Sequence, residues 1–130
     1  MFTLTQIQDL HKKVKSGADF PHFVQDLKSI GVARYDVYVA DGSTVFYGAD
    51  DFILQGPAKY DALVVSNDGS SEKIKHSISI HQQGQTDYPT FCKHAAEAGV
   101  EKWTTHLFEM TVTYWDKQNN PLLVEPIHSV

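Results

Sequence analysis

Cysteine is nearly absent. Cys92 is the single thiol in 130 residues, which excludes an internal disulfide and every Cys-rich zinc pattern. Long apolar runs are missing too: no stretch approaches the roughly 20 residues that cross a bilayer. The opening MFTLTQIQDL has neither a positive n-region nor an apolar core, so no secretory signal is read and a reducing cytoplasm is expected. Basic charge is scarce, with 11 Lys and Arg against 16 Asp and Glu and a formal charge of −5. A general nucleic-acid binder needs a basic stripe to displace counterions; the densest cluster, Lys12, Lys13 and Lys15, reads as a solvated helix face. The P-loop, nucleophile elbow, dinucleotide fingerprint and paired-carboxylate motif are all missing. No cofactor is expected.

What remains is ordinary in bulk and unusual in order. Hydrophobic content of 42% and charged content of 21% fit a globular chain that buries its own core, and one domain over 1–130 is expected. DFPHFVQDLKSIGVARY at 19–35 returns as DYPTFCKHAAEAGVEKW at 87–103, a gapless offset of 68. Asp19/Asp87, Pro21/Pro89, Phe23/Phe91, Gly31/Gly99 and Val32/Val100 are identical. Every one of these pairs suits a position in a helix: Asp at the N-cap, Pro in the first turn, Phe on the apolar face, Gly at the left-handed stop, and Val beyond it touching the previous turn. Any well-punctuated helix selects these residues, so convergence competes with duplication. Upstream helices ending at Gly17 and Gly84, and strand pairs downstream, favour duplicated units at about 5–48 and 71–127.

Periodicity predicts a helix over 6–16 opened by Thr5 and Gln8 as a capping box, and a second over 20–30. A hairpin follows about Asp41-Gly42, with Val37 opposite Phe46, Val39 opposite Thr44, and both inward. Residues 49–59 read as loop and 60–65 as a short strand. Residues 71–82 fit either period, and the Gly84 stop favours helix. A helix over 88–98, one long strand over 103–115, a turn at DKQNN and a returning LLVEPI strand complete the chain. The expected fold class is α+β: a mainly antiparallel sheet packed with four helices.

HQQGQTDYPTFCKHAAEAGVEKW, followed by EMTVTYWD, carries His81, Gln82, Gly84, Asp87, Tyr88, Phe91, Gly99, Val100 and Trp103. In these positions the chain resembles the YbcV-like family of small bacterial and phage proteins, whose members are often labelled phage envelope protein. Tyr114-Trp115 departs from the two Tyr-type aromatics usual there. The resemblance implies no established reaction and no cofactor.

Two readings of function follow. In one, the chain is a soluble binding or interaction module, a homodimer through its sheet included; Arg34, Asp36, Tyr38, Tyr47 and His106 share the outer sheet face. Uncovered, that face binds a partner; covered by helices, it is a polar-tipped core layer. In the alternative, a small-molecule enzyme uses His81 as general base with Asp87 and Tyr88 in a cleft between the repeats. At the offset of 67, His81 replaces the aliphatic Val14; it equally suits a helix C-terminus, where it caps carbonyls. Cys92 invites a dyad with His94 or His106, but its counterpart Val24 marks it as a core residue. His22 with Asp26 lacks a third ligand, and His76 and His81 do not share a helix face, so no metal site is expected.

Overall fold

The computed structural model describes residues 2–14 and 19–127. The elements run α1 (Leu4–His11), α2 (Phe20–Ser29), β1 (Arg34–Tyr38), β2 (Thr44–Tyr47), β3 (Ile53–Gly56), α3 (Ser71–Gln82), α4 (Tyr88–Glu97), β4 (Lys102–His106), β5 (Thr111–Trp115) and β6 (Pro121–Pro126). The fold is α+β. One antiparallel sheet, ordered β3-β2-β1-β4-β5-β6, packs with four helices. The strand residues of the main core, Tyr35, Val37, Phe46, Trp103, Val112 and Tyr114, all project from one sheet face. They meet Phe23, Val24 and Leu27 of α2, Ile74 and Ile78 of α3, and Phe91, Cys92 and Ala95 of α4 in that core.

The helix stops follow the sequence closely. Gly31 and Gly99 have φ of +101° and +81°. The Val32 amide donates to the Leu27 carbonyl at 3.1 Å and the Val100 amide to the Ala95 carbonyl at 3.0 Å, each a Schellman closure. Gly84 ends α3 likewise, its amide on His81 O and that of Gln85 on Ile80 O. The starts are less uniform. Asp87 caps α4, accepting from the Thr90 amide at 2.9 Å. Asp19 has helical dihedrals and forms no side-chain cap bond, its interactions lying elsewhere. α1 is capped two residues earlier than expected: Thr3 Oγ1 accepts from Gln6 N and Gln6 Oε1 from Thr3 N. Buried Phe2 and Ile7 bracket that cap as a hydrophobic staple, which Thr5-Gln8 lacks. α1 also ends earlier than expected, at His11 with Lys12 as its C-cap; the expected end at Ser16 and Gly17 lies outside the described residues, as does Lys15.

Four strand expectations are corrected. β1 and β2 pair Tyr35 with Phe46 and Val37 with Thr44, so the connection is five residues long rather than two. The shift of two keeps every side chain on its expected face. Residues 49–59 hold β3, entered through Asp50 and Asp51 at φ +56° and +61° as a two-residue I′ turn demands. Residues 60–65 form no strand; Tyr60 there donates from its hydroxyl to the Val39 carbonyl. The single strand over 103–115 is two, broken at a turn where Met110 takes φ +57°.

Candidate functional site

Period-two alternation sends the remaining strand side chains to the face opposite the core. Among the described residues that face includes Arg34, Asp36 and Tyr38 of β1, Val45 and Tyr47 of β2, Lys102, Thr104 and His106 of β4, and Thr111, Thr113 and Trp115 of β5. None belongs to the hydrophobic core. All five outer-face residues expected from the sequence are therefore brought together, with Arg34 paired to Tyr47 on one side and His106 on the other.

The centre of the face is a closed polar network. Asp36, 5% exposed, accepts from Thr104 Oγ1 at 2.5 Å and from the Tyr47 hydroxyl at 3.5 Å. Lys102 Nζ lies 3.8 Å from its second oxygen. Trp115 Nε1 donates to Thr104 Oγ1 at 3.1 Å. A buried carboxylate persists only when so surrounded, and its oxygens are committed to these partners. The flanks are cationic and aromatic: the Arg34 guanidinium lies 4.1 Å from the Tyr47 ring centre and Lys102 Nζ 5.8 Å from that of Tyr38. Burial, then the Asp36 and Glu101 carboxylates, push the Tyr38 phenol above its ordinary range. Such a surface offers cations, ring edges and amphipathic tips for binding, and no free nucleophile at its centre.

Sequence reasoning missed Lys102, Thr104 and Trp115. The signal was present: they are the residues 68 positions beyond Arg34, Asp36 and Tyr47.

His81, Asp87 and Tyr88 each serve a separate local purpose. The His81 ring stacks on Phe91 at 4.8 Å and 25°, and its Nδ1 is 3.0 Å from the Thr86 carbonyl and 3.1 Å from Thr86 Oγ1. Together these clamp the α3–α4 turn. Asp87 is the exposed helix cap, and its bonds from Thr90 hold its carboxyl below the usual range. Tyr88 packs edge-on against Trp103 at 6.5 Å, with burial pushing its phenol upward.

A groove of about 430 Å³ between α3 and α4 is lined by His76 and His94 among others. A hollow of about 260 Å³ lies beside Tyr60 and Cys92. His81 lines neither. Cys92 and His94 thus serve different sides of α4, while His106 lies on the open sheet face. Burial pushes the Cys92 thiol up, opposed by Tyr60, Tyr88 and Lys59. Among the described residues no three His, Cys, Asp or Glu side chains converge on a metal position, and no helix is long and apolar enough to cross a membrane.

The chain is similar to Uncharacterized protein YcgX of Escherichia coli (strain K12), at 26% identity over 122 residues that cover 94% of this chain and 91% of the relative. The family described as Protein of unknown function (DUF1398) matches residues 8–126. That span takes in both helix pairs and all six strands save the first turn of α1, and the chain belongs to this family.

Proposed function

We propose that the chain is a binding module that engages a partner through its open sheet face. The observation that carries this reading is the half-exposed cation–aromatic surface around a satisfied Asp36–Thr104 centre. The enzyme alternative needs a concavity at His81, and the groove between α3 and α4 and the hollow beside Tyr60 and Cys92 are lined by other residues. Native mass spectrometry of protein purified from its own host is the test. A bound species lost in Tyr47→Ala and Trp115→Ala but kept in His81→Val supports the module. One kept in both face variants and lost in His81→Val reverses the assignment.

We infer further that this face arose by duplication of a helix-helix-strand-strand-strand unit within one domain spanning 1–130. Asp36 and Thr104, 68 positions apart, pair with each other at the sheet centre. The Val39 amide donates to Glu101 O and the Leu107 amide to Ala33 O, bonds that exchange under the same offset. Left-handed Gly42 and Met110 also correspond. A cytoplasmic location belongs to the same proposal, in keeping with one unpaired buried thiol. The narrower YbcV-like affiliation rests on the motif between His81 and Asp116, and the envelope label attached to that group has no part in the proposal.

A further inference from the structure

We propose that the partner presents an extended acidic segment of protein, its carboxylates seated at two cationic subsites: Arg34 with His106, and Lys102 with Tyr38. This deepens the docking-surface reading and rests on it. The chain carries −5 overall, yet the face reverses that sign. Arg34, Lys102 and His106 are at least partly exposed, while Asp36, the carboxylate at its centre, is buried and bonded; Glu101 borders the face near Tyr38. Among the described residues no carboxylate lies within ion-pair distance of Arg34, whose guanidinium rests on the Tyr47 ring. An acidic partner is the charge complement of this surface.

Register sets the spacing. Arg34 pairs with His106, four residues along β4 from Lys102, so the backbone positions that carry the two cations stand about 13 Å apart along the strands at roughly 3.3 Å per residue. An extended peptide holds side chains i and i+4 on one side at that same spacing. Side chain i+2 then lies over the Asp36–Thr104 centre, where a third carboxylate meets the buried Asp36. The preferred segment is acidic at i and i+4 and uncharged at i+2.

Other occupants fit less well. A second copy stacked face to face opposes cation to cation. A nucleic-acid strand draws its affinity from many phosphate contacts, and this face supplies two fixed cations on an acidic chain.

The test is an NMR titration of the intact chain with seven-residue peptides of Thr and Val carrying Glu at positions 2 and 6. Matched peptides carry Gln at both positions, Lys at both, or an additional Glu at position 4; an oligothymidylate completes the set. The two-Glu peptide is expected to shift the signals of Arg34, Lys102, Thr104 and the Trp115 indole. Arg34→Gln and Lys102→Gln should each weaken it about two- to fivefold, and the Gln and three-Glu peptides should bind several-fold more weakly still. Equal binding by the Gln, Lys or oligothymidylate probes overturns the acidic-partner inference while leaving the docking surface in place. So does dimerisation through the face that excludes the peptide. If no probe moves these signals at millimolar concentration, the inference falls; if Tyr47→Ala and Trp115→Ala also leave host-bound material in place, the docking reading falls with it.

Discussion

The first five elements and the last five make a natural comparison, because the same order of helices and strands supports different chemistry at matched positions. Both second helices stop through a glycine and a valine bonded back to the preceding turn. Where one half has Asp36 the other has Thr104, and the two meet as acceptor and donor. Val37 corresponds to Thr105, Val14 to His81, and Tyr47 to Trp115. The helix stops are alike; side chains at matched positions near the sheet centre differ and meet as complementary partners. An Asp facing an Asp there places two buried carboxylates together, which neither burial nor Coulomb energy tolerates.

The glycine stops give the sharpest way to break the likeness. A Cβ on Gly99 meets Gly69 Cα at 2.6 Å and Asp68 O at 2.7 Å, whereas one on Gly31 meets nothing nearer than Phe2 Cδ2 at 4.0 Å. Both carry left-handed strain. Gly99→Ala should therefore cost about 3 kcal/mol or more, and Gly31→Ala only about 1–2 kcal/mol. Urea unfolding of the two variants checks the difference; equal losses refute the unequal packing.

Adjacent Thr104 and Thr105 should respond with opposite signs. Thr104→Val strips a donor from Asp36 and an acceptor from Trp115 Nε1, an expected loss of about 1–3 kcal/mol. Thr105 Oγ1 is buried without a hydrogen-bond partner of good geometry; burial pushes the phenol of paired Tyr35 up to about 12, against a weak pull from Thr105. Thr105→Val imports the residue of the other half and should stabilise by up to about 1 kcal/mol. Thermal melts of both decide.

His81→Val likewise imports its counterpart. The lost Phe91 stack and Thr86 bond should cost about 1–2 kcal/mol. An unchanged melting temperature would mean that the clamp adds nothing to the α3–α4 turn.

The smallest expected effect is a pH slope. The Asp87 carboxyl is held low by Thr90, so the unfolded chain binds its proton at higher pH than the folded one. The cap's ionic contribution is present above the ordinary carboxylate range and disappears as pH falls through the lowered value. Asp87→Asn, which still caps, should flatten that part of the acid-unfolding curve and leave neutral stability nearly unchanged.

Much of this architecture was legible because period and punctuation are local. Gly31, Gly84 and Gly99 announced their stops, and alternation placed Arg34, Asp36, Tyr38 and Tyr47 on one face even though the assumed register was off by two. What stayed hidden depended on long-range pairing. β3 escaped because its turn uses Asp50-Asp51 in left-handed geometry without glycine. The break at Met110 escaped because the strand formers on either side, Trp103–His106 and Thr111–Trp115, read as one continuous run. Openness of the outer face could not be read at all: hydrophobic pattern locates a core side, but whether a second layer covers the other depends on where every helix lands.

The two borders of the sheet differ in a way that governs misassembly. β6 begins and ends in proline, Pro121 and Pro126, neither of which can donate to an incoming chain. β3 has no proline or charge across Ile53–Gly56, and Ile53 is 53% exposed. Strand addition by a loosened neighbour is thus less hindered at β3 than at β6. Pairing through β3 of both partners ends at two molecules, and the β6 prolines hinder its extension from the far side.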